Sequence, residues 1–179
     1  MLRDAALIPS DAIRLAALGL LARRPRRYGD LSGEVRHFIS RWTGPSLDLM
    51  GSSLELLRYE GLVERPGDAA GPDAELRITD AGHAELAALL QAPLAAPIND
   101  FGKLVIALKL RFLDLLPAEA QRAQIEMLIE IYQAEVLRLT DLARSTENDS
   151  GALTDWIGHE MAQAEDRLAW FRGLLARIA

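Results

Sequence analysis

Two segments constrain this chain more than the rest of it. The first is Leu54-Glu55-Leu56-Leu57-Arg58-Tyr59-Glu60-Gly61-Leu62-Val63-Glu64-Arg65, and the second is Glu75-Leu76-Arg77-Ile78-Thr79-Asp80-Ala81-Gly82. Leu54 and Leu57 lie at helical spacing, and Gly61 stops that helix as a C-terminal cap. Leu62-Val63-Glu64 and Glu75-Leu76-Arg77-Ile78 then read as two short strands of one hairpin. Its tip, Gly67-Asp68-Ala69-Ala70-Gly71-Pro72-Asp73, holds two acids and no base. Thr79 or Asp80 caps the helix that follows.

Three helices precede the hairpin. Ser10-Asp11 is expected to cap a helix to residue 23, with Ile13, Ala16, Ala17, Leu20 and Leu21 at helical spacing and Pro25 as its stop. A second helix is expected from about Asp30 to Ser40, with Leu31, Val35, Phe38 and Ile39 on one face. Residues 41–47 read as a turn, and the third helix as Leu47 to Glu60. Together with the hairpin and a fourth helix to Gln91, this is how a winged helix-turn-helix domain is written.

Pro93 and Pro97 mark a linker, and beyond it only helices are expected. Phe101, Leu104, Val105, Leu108, Phe112 and Leu115 form one apolar stripe that stops at Pro117. Ile125, Leu128, Ile129, Tyr132, Val136, Leu139 and Leu142 form a longer one. After a polar loop at 145–151, Leu153, Trp156, Ile157, Met161, Ala164, Leu168, Phe171 and Leu175 form the last. The fold class is therefore mainly α, a winged helix-turn-helix domain (1–92), a linker (93–100) and a long-helix dimerisation domain (101–179). One short and two long helices leave apolar stripes over, so a twofold homodimer is expected. The alternative is a three-helix bundle that packs on its own front half.

Composition narrows the function. The net charge is −6 and half of the 179 residues are hydrophobic. Non-specific DNA affinity rests on Lys and Arg, so an acidic chain needs a local basic patch to bind it. The dense one is Arg23, Arg24, Arg26 and Arg27. There is no cysteine, hence no disulfide and no thiol nucleophile. His37, His83 and His159 are not at metal-ligand spacing, and no phosphate-binding glycine loop or nucleophile elbow occurs. Glu126, Glu130 and Glu135 read as a solvated helix face. No enzyme, metal or cofactor is expected. The longest apolar stretch, near 104–116, is broken by Lys109, Arg111 and Asp114 and cannot span a bilayer. The N-terminus does not read as a signal peptide, and a cytoplasmic protein is expected.

Over nearly its full length the chain resembles the PadR family of bacterial transcriptional regulators. The resemblance lies in Leu18-Gly19-Leu20-Leu21-Ala22 with Pro25-Arg26, in Glu60-Gly61-Leu62-Val63, and in Arg77-Ile78-Thr79-Asp80-Ala81-Gly82. Behind these, Leu108-Lys109-Leu110-Arg111-Phe112-Leu113-Asp114 and Glu160, Glu165, Leu168, Ala169-Trp170-Phe171 resemble the C-terminal dimerisation domain of its longer members. The resemblance implies a DNA-binding homodimer whose terminal helices cross between subunits. It also implies a site for a small aromatic effector between the domains, with Trp42, Phe101, Lys103, Arg111, His159 and Trp170 as candidates; the alternative is that the aromatics are core and the charges solvated.

Several DNA-facing features depart from the family pattern. Tyr28-Gly29 reverses its Gly-Tyr pair, and Gly51-Ser52 stands in place of Tyr-Pro. Glu55 and Leu56 replace basic residues, Asp68 and Asp73 replace basic wing residues, and Asp48 adds a further acid. Two readings stay open. In one, the protein binds double-stranded DNA through Arg23, Arg24, Arg26, Arg27, Ser52, Ser53 and Arg58. In the other, DNA binding is weakened or lost and the protein acts through protein contacts, as a heterodimer or antagonist. Arg58 is expected to pair with Glu55 one turn back.

Overall fold

The computed structural model describes residues 6–43, 50–67, 71–146 and 151–178. The elements run α1 (Pro9–Arg23), β1 (Arg26–Arg27), α2 (Tyr28–Thr43), α3 (Met50–Tyr59), β2 (Val63–Glu64), β3 (Glu75–Ile78), α4 (Asp80–Gln91), α5 (Asp100–Arg111), α6 (Ala118–Ser145) and α7 (Ala152–Ile178). Short 3-10 turns at Gly71–Asp73 and Leu113–Leu115 complete the description. The chain divides into two compact units, Met1–Leu116 and Pro117–Ala179. The expected linker 93–100 lies inside the first unit, and so does α5.

Helix α1 is the axis of the first unit. Ala12, Ile13, Leu15, Ala16, Ala17, Leu18, Leu20 and Leu21 are all buried. A helix apolar around its circumference has to be covered on every side, and α1 is in contact with α2, α3, α4, α5 and β3. Its start differs from the expected Ser10-Asp11 cap. Pro9 takes the first helical position, where its missing N–H costs nothing, and the Ile8 amide donates to Asp11 Oδ2 at 3.1 Å. Asp11 thus caps from the third position of the helix, not from its threshold. At the other end Gly19 seats Phe112, because a Cβ on Gly19 would lie 2.6 Å from that ring. The apolar stripe of α5 (Leu104, Val105, Leu108) is buried here, and α5 contacts α1 and α2. One of the three stripes that the sequence leaves over is therefore covered within its own chain.

The link from α3 to α4 is built on backbone geometry. Gly61 has φ 72°, the Leu62 amide donates to Leu57 C=O at 2.9 Å, and the Gly61 amide donates to Arg58 C=O at 3.0 Å. This is a Schellman motif, which satisfies carbonyls that a helix end leaves open. Thr79 then clasps the same turn from the far side of the hairpin. Its amide donates to Leu62 C=O at 3.1 Å and its hydroxyl donates to Gly61 C=O at 2.8 Å. The hydroxyl oxygen also accepts from the Gly82 amide at 3.1 Å, capping α4. At Gly82 a Cβ would fall 2.1 Å from the Leu62 carbonyl oxygen, so only glycine fits.

Between these helices lies a three-stranded sheet of order β1-β3-β2, antiparallel throughout. Arg26 faces Leu76, Arg27 faces Glu75, Val63 faces Ile78 and Glu64 faces Arg77. Strand β1 goes beyond the expected two-stranded hairpin. Two residues show no alternation, and the partner lies about fifty positions away, so only tertiary pairing defines the strand. The Tyr28 amide continues this pairing onto Ala74 C=O at 2.9 Å, so α2 starts at Tyr28 rather than near Asp30.

Lys109 is 1% exposed in the core of the first unit. Its Nζ donates to Ala92 C=O at 2.7 Å and to Leu90 C=O, closing the C-terminal end of α4. Carbonyls at a helix end favour a cation, yet burial outweighs them and pushes the Lys109 pKa down to about 7.

In the second unit α6 and α7 pack along their length. Ile125, Leu128 and Leu139 on α6 and Ile157, Ala164 and Leu168 on α7 are buried, and Tyr132 stacks on Phe171 at 5.5 Å. No described helix is long and apolar enough to cross a membrane.

Gly82→Ala is expected to lower unfolding free energy by about 1–3 kcal/mol, as overpacking does; urea denaturation measures it. For Lys109 the folded pKa lies below the unfolded 10.5, so between pH 7 and 10.5 the unfolded chain holds more protons. Stability from this group therefore rises with pH across that window, and Lys109→Met should flatten the rise in a pH series of denaturation midpoints.

Candidate nucleic-acid interface

Helices α2 and α3 with the β2–β3 hairpin form the part of the first unit that a duplex would meet in a winged helix-turn-helix. Leu54 and Leu57 anchor α3 in the core at 3% and 1% exposure. The same helix turns Glu55, Leu56, Arg58 and Tyr59 outward. Tyr59 is 90% exposed, and its spacing within an apolar-rich run hides this in the sequence. Arg58 pairs with Glu55 at 3.3 Å, as expected. Ser52 and Ser53 fall within α3, but their side chains lie outside the described residues, as do Asp48 and Asp68.

The arginine cluster is not one patch. Strand alternation sends Arg26 and Arg27 to opposite faces of the sheet. Arg26 sits on the inner face, 15% exposed, and is held by Glu34. Glu34 also holds Arg111, whose guanidinium lies 4.7 Å from the Phe38 ring centre. One carboxylate thus ties β1, α2 and α5 together. Arg23 donates to Asp114 at 2.8 Å and to Arg111 C=O at 3.0 Å. Arg27 is on the outer face, 3.5 Å from Asp73. Arg24 is exposed and makes no ion pair among the described residues.

The outer face of the sheet alternates in sign. Arg77 sits opposite Glu64 and bonds Glu75 at 2.8 Å, while Arg27 sits opposite Glu75. With Asp73 beside them, three carboxylates meet two guanidiniums. Arg14, which the sequence reading passes over, is likewise engaged within the fold. It grips Glu60 through both terminal nitrogens and reaches Glu85 at 3.4 Å. The Glu60 hydrogen bond raises the Arg14 pKa, so this cation stays charged at any working pH.

A cavity of about 240 Å³ opens between α3 and the hairpin. Its floor is the buried Ala74 and Leu76, and Tyr28, Glu55, Arg58, Arg65, Gly71 and Pro72 form its wall and rim. Arg65 makes no ion pair among the described residues. Its place just after β2 is the signal that marks it, and the sequence reading did not use it.

The candidate effector groups divide between the two units. Trp42 is exposed on the last turn of α2. Phe101 lines a cavity of about 50 Å³ with Leu7, Leu94 and Val105, well below the roughly 300–1,000 Å³ of ordinary ligand pockets. Lys103 pairs with Asp100 at 3.0 Å and Arg111 is engaged by Glu34. In the second unit His159 contacts Gln163 at 2.7 Å, and Trp170 packs edge-on against Phe171. Among the described residues no group of His, Cys, Asp and Glu could hold a metal ion.

Comparison with known proteins places this frame. Residues 2–175 match the family model described as "Putative AphA-like transcriptional regulator". The chain belongs to that family. The regulator is also similar to Bacillus subtilis PadR in complex with operator DNA, at 17% identity, with 93% of this chain and 99% of that one covered and a TM-score of 0.39. PadR in complex with p-coumaric acid matches at 17% identity, 97% and 98% coverage and a TM-score of 0.42. The protein smu.1604c from Streptococcus mutans matches at 20% identity, 95% and 99% coverage and 0.39. No curated protein matches the chain.

Arg26→Gln is expected to lower stability by about 1–3 kcal/mol, since it removes a partly buried charged hydrogen bond. Arg24→Gln should leave the thermal midpoint where it was. Equal midpoints for the two variants would show that Arg26 is not structural.

Proposed function

We propose that this regulator is a cytoplasmic homodimer that binds duplex DNA through α3 and the β2–β3 hairpin of each subunit. The observation that carries the reading is the clasped α3–hairpin–α4 frame, which presents α3 with its anchoring leucines inward and a helix face free. In this reading the dimer sets the spacing of two half-sites. Self-association is supported by the second unit, which leaves Trp156 and Trp170 at 60% and 50% exposure, with Leu137, Leu142 and Leu153 also exposed. Two helices cannot cover these large apolar groups, and a second copy can. A small aromatic effector gathers no support from the cavity beside Phe101.

A second reading has its own observation. On the outer side of α3 and the hairpin, the acidic and apolar groups Glu55, Leu56, Tyr59, Glu64, Asp73 and Glu75 outnumber Arg27, Arg58 and Arg77, each of which pairs with one of those acids, and this suits a protein partner better than phosphate.

Full-length protein titrated on its own upstream duplex and on random duplex, at several salt concentrations, separates the two. Tighter upstream binding with a steep salt dependence supports the regulator that contacts DNA. Folded protein that binds neither duplex at low salt sinks it. In parallel, light scattering should give a dimer for the wild type and a monomer for a Trp156→Glu, Trp170→Glu double variant; a monomeric wild type overturns the dimer.

A further inference from the structure

The cavity between α3 and the hairpin has no role in the sequence reading, and its chemistry is specific. Its floor is apolar and buried, so it fixes how deep a guest can sit. Two guanidiniums, Arg58 and Arg65, stand at its exposed rim with one carboxylate, Glu55. Arg65 makes no ion pair among the described residues, and Arg58 is held only by Glu55 at 3.3 Å in an exposed pair. Such a pair is weak in water and exchanges readily for another anion. The rim is thus a site of net charge +1 that becomes +2 once Glu55 is removed.

We infer that this cavity seats a phosphate of the DNA backbone between Arg58 and Arg65, and that Glu55 restrains the site by competing for Arg58. The inference rests on the DNA-binding reading and deepens it. It moves the phosphate contact away from the Arg23–Arg27 stretch, where Arg23, Arg26 and Arg27 are engaged by Asp114, Glu34 and Asp73. Arginine suits the task because its planar fork gives two parallel N–H donors to phosphate oxygens. A phosphodiester is a better guest than a free aromatic acid, because the rim is solvent-exposed and lies between the two elements that flank a bound duplex. Tyr28 also lines the cavity. A Cβ on Gly29 would lie 3.3 Å from Pro72, a tight contact, so glycine there eases the approach of α2 to the hairpin.

The test is a fluorescence-anisotropy titration of full-length wild type, Arg65→Gln, Arg65→Lys, Glu55→Gln and Arg144→Gln on the upstream duplex, each across a salt series. All three positions are exposed, and circular dichroism checks the fold. Arg65→Gln is expected to weaken binding and lower the slope of log K against log salt by about 0.9, the signature of one lost phosphate contact. Arg65→Lys should restore the slope, because it restores the charge. Glu55→Gln should tighten binding and steepen the slope. Arg144→Gln, the same charge loss at the end of α6, should leave the slope alone. Wild-type binding with an unchanged slope in Arg65→Gln and no gain in Glu55→Gln overturns the phosphate seat while the regulator reading stands. A wild type that binds no duplex overturns both. Addition of inorganic phosphate separates the sources: loss of duplex binding at low millimolar phosphate, at constant ionic strength, would show a site for the free ion and overturn a backbone seat.

Discussion

The winged frame depends on one turn, Gly61-Leu62, and on how closely α4 approaches it. The two carbonyls of this turn are taken by Thr79, through its amide and its hydroxyl. The same hydroxyl caps α4, and the missing side chain of Gly82 lets that helix lie against Leu62. Thr79 therefore joins the end of α3, the return of the hairpin and the start of α4. Without it, three backbone groups at a partly buried turn lose their partners. The orientation of α3, and so whatever it reads, follows from this clasp.

The second organising element is how positive charge is spent. Arg14, Arg23, Arg26 and Arg111 are drawn into ion pairs that hold helices and sheet together. Lys109 is buried entirely and closes the end of α4. A protein with net charge −6 that uses its cations as struts has few left for phosphate. Among the described residues of the first unit, the exposed cations without an ion pair include Arg24, Arg36, Arg41 and Arg65. This use of cations also explains how a frame of this kind combines with an acidic outer sheet face.

Much of this architecture was legible. The helix end at Gly61, the two strands of the hairpin, the Thr79 cap and the apolar faces of α6 and α7 follow from periodicity and local backbone preference, whereas α5 stops at Arg111, short of the expected Pro117. Misplaced features share one cause, which is that their partners are distant in sequence. Strand β1 exists only because β3 lies beside it. The stripe of α5 says that the helix is buried but not against what, and α1 and α2 of the first unit cover it. Lys109 looked like an interruption of an apolar run, and its long stem in fact carries the ammonium to two carbonyls of α4. The arginine stretch looked like a patch until strand alternation and Glu34 divided it.

The sequence by itself determined the order of the helices, the β2–β3 hairpin, the stop of α3 and the family. These are local matters, set by glycine and proline dihedrals, by caps and by the period of apolar residues. Only the tertiary structure decided which charges are free. An arginine carries the same formal charge wherever it stands, and whether it meets solvent or a carboxylate depends on the residue that folding brings beside it, as Glu34 is brought to both Arg26 and Arg111.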